Sequence, residues 1–155
     1  MSSVSPPRRP PAAGTVITRD RLAHARALAE SFARHHPGGR FYLLVVDGLP
    51  AGTVAGAGAV LLGLNDLATP HLLDLAGAQH PGELCTLAKP ALLRLLTDRY
   101  GEEVVVLFDP AVLVARPLTE LADLARSAGV VLTPQLLRPT PPPDGTRPAD
   151  QDALR

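Results

Sequence analysis

The stretch from Glu102 to Val114 constrains the fold of this chain more than any other, because an apolar run ends there at a carboxylate and a proline. Residues 104–108 read Val-Val-Val-Leu-Phe, and Asp109 and Pro110 follow directly. A nearly continuous apolar run is typical of a strand buried on both faces of a parallel sheet. Pro110 cannot donate to a strand ladder. Ligands of open α/β sheets bind outside the carboxyl ends of the strands, so Asp109 lies where a binding site is expected.

A strand, a helix and a second strand are predicted upstream. Residues 15–18 form a short apolar strand, and Asp20 is a suitable N-cap for a helix over residues 21–36. Residues 41–46 form a second apolar strand, which ends at Asp47. A β-α-β unit of this kind implies a right-handed crossover and a parallel sheet.

The remaining segments extend this pattern into one α/β domain. They predict a loop over 50–59, a short strand at 60–62, a helical region at 65–79, a helix at 81–100 that Pro90 kinks or splits, a helix at 118–127 and a last strand at 129–133. Residues 1–13 are proline-rich and predict a tail without packed structure. The domain is therefore expected over residues 14–155.

Composition narrows the class of protein. The 155 residues are 46% hydrophobic, which suffices for one core. Fifteen basic and fifteen acidic residues cancel, so no overall field favours nucleic acid as a partner. No apolar run is long enough for a membrane span, and no apolar segment of a signal peptide follows Arg8 and Arg9. The single cysteine, Cys85, excludes an intramolecular disulfide and agrees with a reducing, cytoplasmic location. Within an apolar helical run its thiol is expected to be inert.

Several common catalytic motifs are absent. The chain has no Gly-x-Gly-x-x-Gly at a strand-to-helix turn, no phosphate loop ending in Gly-Lys-Ser/Thr and no Gly-x-Ser-x-Gly. Its five histidines do not have metal-ligand spacing. A dinucleotide-binding enzyme and a serine hydrolase are therefore disfavoured.

An ordered set of short motifs resembles bacterial nucleotide-sugar-dependent glycosyltransferases of the GT-A fold. The set runs from about residue 15 to the end of the chain and comprises Thr18-Arg19-Asp20, Asp47, Glu83-Leu84-Cys85-Thr86, Lys89-Pro90, Asp109-Pro110, Pro117-Leu118 and Leu132-Thr133-Pro134. Two positions depart from the family pattern. Ala111 stands where the family has the second carboxylate of Asp-x-Asp, and Gln135 stands where relatives often have histidine.

The resemblance implies a Rossmann-like sheet and a role for five residues. Thr18 and Arg19 would approach the nucleoside of a nucleotide-diphosphate sugar, and Asp47 would accept a hydrogen bond from the base. Lys89 would face the phosphate or the sugar. Asp109 would hold Mn²⁺ or Mg²⁺, since hard cations take oxygen ligands. On the residues alone, Arg19 and Lys89 also fit solvated charges, and Asp47 with the following glycine fits an ordinary turn.

Three functional interpretations follow. The first is a domain that transfers a hexose from a nucleotide-diphosphate sugar to an unknown acceptor. The second is a non-catalytic remnant or binding module of the same fold, which Ala111 and the short region after the last predicted strand both favour. The third is an unrelated α/β domain that binds a partner. By the resemblance, the domain is expected to be truncated at its C-terminus, and the chain by itself is expected to give no transfer.

Overall fold

The computed structural model of the chain describes residues 9–49, 52–76 and 80–133. Four strands lie in these ranges: β1 (Ala12–Ile17), β2 (Phe41–Val45), β3 (Val60–Gly63) and β4 (Val105–Phe108). Four α-helices accompany them: α1 (Leu22–His35), α2 (Pro70–Ala76), α3 (Pro81–Asp98) and α4 (Thr119–Ala128). Single 3₁₀ turns precede α1 at Arg19–Arg21 and α2 at Leu64–Leu67.

The four strands form one parallel sheet in the order β3-β2-β1-β4. Thr15 at the middle of the sheet pairs with Leu43 on one side and with Phe108 on the other. The α/β fold and the parallel sheet predicted from the sequence are confirmed. Asp47 and Asp109 follow the ends of β2 and β4, so both lie at the carboxyl edge of the sheet, as predicted.

Both faces of the sheet are covered, which explains the continuous apolar runs. Alternate residues of a strand point to opposite faces. On one face Ala13 and Phe41 pack with Leu28 and Phe32 of α1. On the other face the core residues Val16, Tyr42 and Leu44 pack with Leu84, Ala88, Leu92 and Leu96 of α3. Burying each large apolar side chain contributes about 1.5–3 kcal/mol.

The order of the strands reverses next to β1. The chain passes from β1 to β2 over the face covered by α1, and it returns from β3 to β4 over the face covered by α3. The two crossovers run in opposite directions on opposite faces, so they share one hand, the right-handed one by the general rule. The boundary between β1 and β4 is therefore a topological switch point, where open α/β sheets place their ligands.

The start of the domain differs from the sequence prediction. β1 begins at Ala12, two residues inside the segment predicted to be a tail, and Ala12 and Ala13 are 1% and 0% exposed. Ala12 pairs with Val105, so the ladder with β4 extends the strand. Asp20 does not cap α1. It lies in the 3₁₀ turn, its carboxylate accepts a hydrogen bond from the hydroxyl of Thr18, and the helix begins at Leu22.

Two helical predictions are also corrected. The region predicted at 65–79 divides into the 3₁₀ turn and α2, because Ala68 takes a left-handed conformation with φ of 49° between them. Residues 77–79 lie outside the described residues. Helix α3 is continuous through Pro90, so a split is wrong, while the alternative of a kink stays a prediction. Pro90 is exposed, while Ala88 and Leu92 on either side are fully buried and hold both halves against the sheet.

The last predicted strand, at residues 129–133, is absent. Val130 and Leu132 are 74% and 85% exposed and take part in no strand pairing. The connection after β4 descends on the α1 face, where Val114 and Leu118 pack against α1. A parallel strand added outside β4 by this route would need a left-handed crossover, which proteins almost never form.

None of the helices in the described ranges is long and apolar enough to cross a membrane.

Candidate functional site

A crevice of about 690 Å³ opens at the carboxyl edge of the sheet, beside the switch point. Its volume lies within the ordinary range for small-molecule sites. Four segments form it: the end of β1 with the turn into α1, the residue after β2, the residues after β4, and the N-terminal half of α3. The polar and small residues that line it are Thr18, Asp20, Arg21, His24, Asp47, His80, Gly82, Cys85, Thr86, Lys89, Asp109 and Ala111.

Four of the five residues predicted from the sequence meet in this crevice. Thr18, Asp47, Lys89 and Asp109 all line it, although they come from four separate segments of the chain. Arg19 does not line the crevice. Its side chain is 66% exposed and turns to Asp47. The structure therefore brings the predicted set together around one cavity and gives Arg19 a contact with a member of the set.

Asp47 anchors the turn between β1 and α1. One carboxylate oxygen accepts a hydrogen bond from the backbone N–H of Arg19 at 2.8 Å, and the other lies 3.5 Å from the Arg19 Nε. Only 22% of the Asp47 side chain is exposed. The hydroxyl of Thr18 donates to Asp20, and this hydrogen bond lowers the pKa of the Asp20 carboxyl. Asp47 therefore has a structural partner already, while its predicted contact with a base stays a prediction.

Asp109 is held in a tight turn at the end of β4. Its Oδ1 accepts a hydrogen bond from the backbone N–H of Ala111 at 2.9 Å, a local arrangement typical of aspartate in turns. Across the switch point, the hydroxyl of Thr15 donates to the carbonyl of Phe108 at 2.9 Å. The carboxylate is therefore fixed relative to β1. Ala111 lies in the wall of the same crevice, to which it contributes a methyl group.

Helix α3 presents one face of its N-terminal half to the crevice. Gly82, Cys85, Thr86 and Lys89 repeat at intervals of three or four residues, which places them on one side of a helix. His80 caps this helix, since its Nδ1 accepts a hydrogen bond from the backbone N–H of Gly82 at 3.2 Å. Neither His80 nor Gly82 was predicted from the sequence as a site residue. The signal that could have found Gly82 is its spacing of two helical turns from Lys89, and the signal for His80 is its place directly before Pro81 at the start of the predicted helix.

Lys89 and Pro90 give this face two distinctive groups. Lys89 is the single lysine of the chain, and its amine is the crevice's cation on α3. Pro90 has no N–H to donate to the carbonyl of Thr86, one turn earlier. Thr86 itself lines the crevice.

The thiol of Cys85 is not activated. Burial raises its pKa, and the negative charge of Asp47 raises it further. A thiol held in the neutral form is a poor nucleophile. The sequence expectation of an inert cysteine agrees with this environment.

The residues fit a divalent cation only if a ligand completes its coordination. No group of three or more His, Cys, Asp or Glu side chains within the described residues could hold a metal ion. Mg²⁺ is, however, commonly held by one or two carboxylates together with the phosphates of a substrate and water. Asp109 fits that second arrangement, in which the cation arrives with a diphosphate.

Comparison of the chain with protein-family models, with curated proteins and with solved structures gives no match. A function is therefore proposed from the crevice and from the motif residues Thr18, Asp47, Lys89 and Asp109 that line it.

Proposed function

We propose that this crevice binds the nucleoside diphosphate of a nucleotide sugar, as in the GT-A glycosyltransferases that the sequence resembles. The observation that carries the proposal is the convergence of Thr18, Asp47, Lys89 and Asp109. The resemblance assigns each of them to the donor, and they line one cavity at a topological switch point. Scattered surface charges would not be expected to meet at the one edge where this class of sheet binds nucleotides.

The charged side chains of the crevice decide how the ligand is oriented in this proposal. The ammonium group of Lys89 contacts the diphosphate, because it is a compact cation on the crevice face of α3. Asp109 holds Mn²⁺ or Mg²⁺ against the same phosphates. The nucleoside lies toward Thr18 and the turn that Asp47 anchors. Arg19, kept close by Asp47, covers its outer side.

The reaction that fits such a site is transfer of a hexose to an acceptor hydroxyl. The acceptor oxygen attacks the anomeric carbon, the bond from that carbon to the diphosphate breaks, and the hydroxyl proton is lost to base or solvent. A bound cation supplies positive charge that stabilises the departing diphosphate. Lys89 adds a fixed positive charge at the same place, and placed charges of this kind are usually the largest catalytic contribution.

A second candidate is a binding module of the same fold without catalysis, and Ala111 favours it. Its methyl group lines the crevice where a second carboxylate would stand. With one carboxylate the cation is held more weakly, so binding survives better than turnover. Both candidates share the nucleotide site and differ only in transfer.

Calorimetric titration with the diphosphates of uridine, guanosine, adenosine and thymidine tests the shared site. At least one should bind, and binding should strengthen when Mn²⁺ is present. We expect Lys89→Ala to weaken it about tenfold or more, the usual cost of losing a charge-assisted hydrogen bond. Arg94→Ala is the matched control, because Arg94 lies on the same helix with its side chain 85% exposed. Equal affinities of the two variants would contradict the proposal.

A transfer assay on the unmodified chain separates the two candidates. Transfer is measured as nucleotide release from common donors, followed by mass spectrometry of the products. Ala111→Asp tests the role of the missing carboxylate, and it should tighten the Mn²⁺-dependent part of binding, since it adds an oxygen ligand for a hard cation. We expect no glycoside from the chain as it stands. Acceptor-dependent transfer by the unmodified chain would establish the catalytic candidate and contradict the binding module.

A further inference from the structure

The segment after β4 connects the crevice with helix α4. We define residues 109–118 as the crevice loop. Its first residues, Asp109 to Ala111, line the crevice, and its last residue, Leu118, precedes α4. Between these points the loop crosses the face of the sheet that α1 covers, and Val114 is buried there.

Two side chains of α1 and its C-cap hold the backbone of the crevice loop. The backbone N–H of Val114 donates to the Ser31 hydroxyl oxygen at 3.0 Å, and that of Leu118 donates to the Nε2 of His36 at 3.1 Å. Both side chains are almost fully buried, at 5% exposure each. The Ser31 hydroxyl in turn donates to the carbonyl of Leu28 at 2.7 Å, so its donor and acceptor functions are both used.

These two anchors differ in their response to pH. A serine hydroxyl does not titrate in the accessible range. An imidazole nitrogen accepts a hydrogen bond only while it is unprotonated, because both nitrogens of the imidazolium are donors. Protonation of His36 would therefore place two donors, Nε2–H and the Leu118 N–H, against each other and break the second anchor.

The surroundings of His36 favour its neutral form. Its ring is stacked on Phe32 with 4.7 Å between ring centroids. Burial lowers its pKa, and the neighbouring His35 lowers it further. The charged groups that share the adjoining cavity are Arg9 ahead of β1, and Asp123 and Arg126 of α4.

We infer that Ser31 and His36 are positioning residues that hold the crevice loop, and with it the Asp109 turn, in place, and that His36 makes this attachment dependent on pH. The attachment itself is a property of the loop. Its consequence for a ligand, weaker binding of nucleotide diphosphate in acid, rests on the proposed function. No residue of the crevice needs to titrate for this effect.

Amide hydrogen exchange, followed by NMR and corrected for the intrinsic pH dependence, tests the attachment without any ligand. Between about pH 7.5 and about pH 5, protection of the Leu118 amide should fall about fivefold or more, the equivalent of losing one ordinary hydrogen bond. Protection of the β1 amides should stay constant. The fall should follow the titration of the His36 ring signals. Unchanged Leu118 protection while the His36 ring becomes protonated would overturn the inference.

Variants separate the titration from packing. In His36→Gln the side-chain carbonyl can still accept from Leu118, so protection should be kept and its dependence on pH lost. His35→Gln is the matched control and should retain the dependence on pH. Ser31→Ala should lower protection of Val114 equally at both pH values. A pH dependence that persists in His36→Gln would overturn the role of His36.

Nucleotide titrations over the same pH range judge the consequence separately. With the proposed function and the attachment both correct, affinity falls in acid for the wild type and less for His36→Gln. If no nucleotide binds at any pH, the proposed function fails, and the exchange data still decide the attachment. If nucleotides bind with the same pH dependence in wild type and His36→Gln, the link between His36 and the crevice is wrong.

Discussion

At the scale of single residues, a buried hydrogen bond joins the start of β2 to the segment before β4, at the edge of the sheet opposite the crevice. Tyr42 is fully buried in β2, and its hydroxyl donates to a carboxylate oxygen of Glu102 at 2.5 Å. The Nε of Arg40 lies 2.6 Å from the same carboxylate oxygen, Oε1 of Glu102. Burial raises the pKa of the Tyr42 hydroxyl, and the hydrogen bond to Glu102 raises it further. Tyr42 therefore stays neutral and keeps its proton available for this bond.

We expect Tyr42→Phe to lower the free energy of unfolding by about 1.5–3 kcal/mol, the range for hydrogen bonds to charged groups. The variant removes the hydrogen bond that Tyr42 donates to the Glu102 carboxylate, and the Glu102 side chain is only 8% exposed. Urea denaturation measures it. Tyr100→Phe is the control, since Tyr100 packs against the Tyr42 ring without a hydroxyl contact in the described ranges, and it should change stability by less than about 0.5 kcal/mol. Equal losses of unfolding free energy in the two variants would contradict a stabilising role for the hydrogen bond between Tyr42 and Glu102.

At the scale of elements, α4 is attached mainly through polar contacts. Its fully buried residue is Ala122, while Leu121 and Leu124 are 39% and 50% exposed. Arg126, only 15% exposed, lies 3.0 Å from oxygens of both Glu103 and Asp123 and donates to the carbonyl of Arg9 at 2.8 Å. This one side chain therefore ties the end of α4 to the starts of β1 and β4.

Arg126→Ala should lower the free energy of unfolding by about 1–2 kcal/mol, because it removes several hydrogen bonds at a largely buried site. It should also speed amide exchange throughout α4. Arg94→Ala removes an exposed pair with Asp98 at 3.4 Å and should cost less than about 0.5 kcal/mol. Unaltered exchange in α4 of Arg126→Ala would show that the helix is held by other contacts.

At the scale of the whole molecule, His36 contributes to the pH dependence of stability. Its pKa in the folded state lies below the ordinary value of 6.5. The unfolded chain therefore binds more protons in that window, and stability falls as pH drops from about 6.5 to the folded pKa. Each unit of pKa difference is worth about 1.4 kcal/mol. Thermal unfolding of wild type and His36→Gln between about pH 8 and about pH 5 measures this pH-dependent contribution of His36 to stability. We expect the stability of the wild type to fall more steeply toward acid than that of His36→Gln, and parallel curves would contradict this.

The sequence alone predicted the parts of the fold that local chemistry decides. The apolar runs before Asp47 and Asp109 indicated buried parallel strands, and Asp47 and Asp109 were placed at the correct edge of the sheet. Local rules misplaced the start of β1, because pairing with β4, a contact distant along the chain, extends it to Ala12. They also predicted a kink or a split at Pro90, and packing on both sides of the proline keeps α3 unsplit.

Only the tertiary structure decided which residues meet in the crevice and what holds them. The sequence determined that carboxylates follow strands, since a strand's composition and its end are local properties. It could not show that Asp47 anchors Arg19, that α3 presents Lys89 to the crevice that Asp109 also lines, or that His36 holds the loop of Asp109. These contacts join segments that are distant along the chain. They depend on the strand order and on the hand of the crossovers, which the packing of the whole sheet selects.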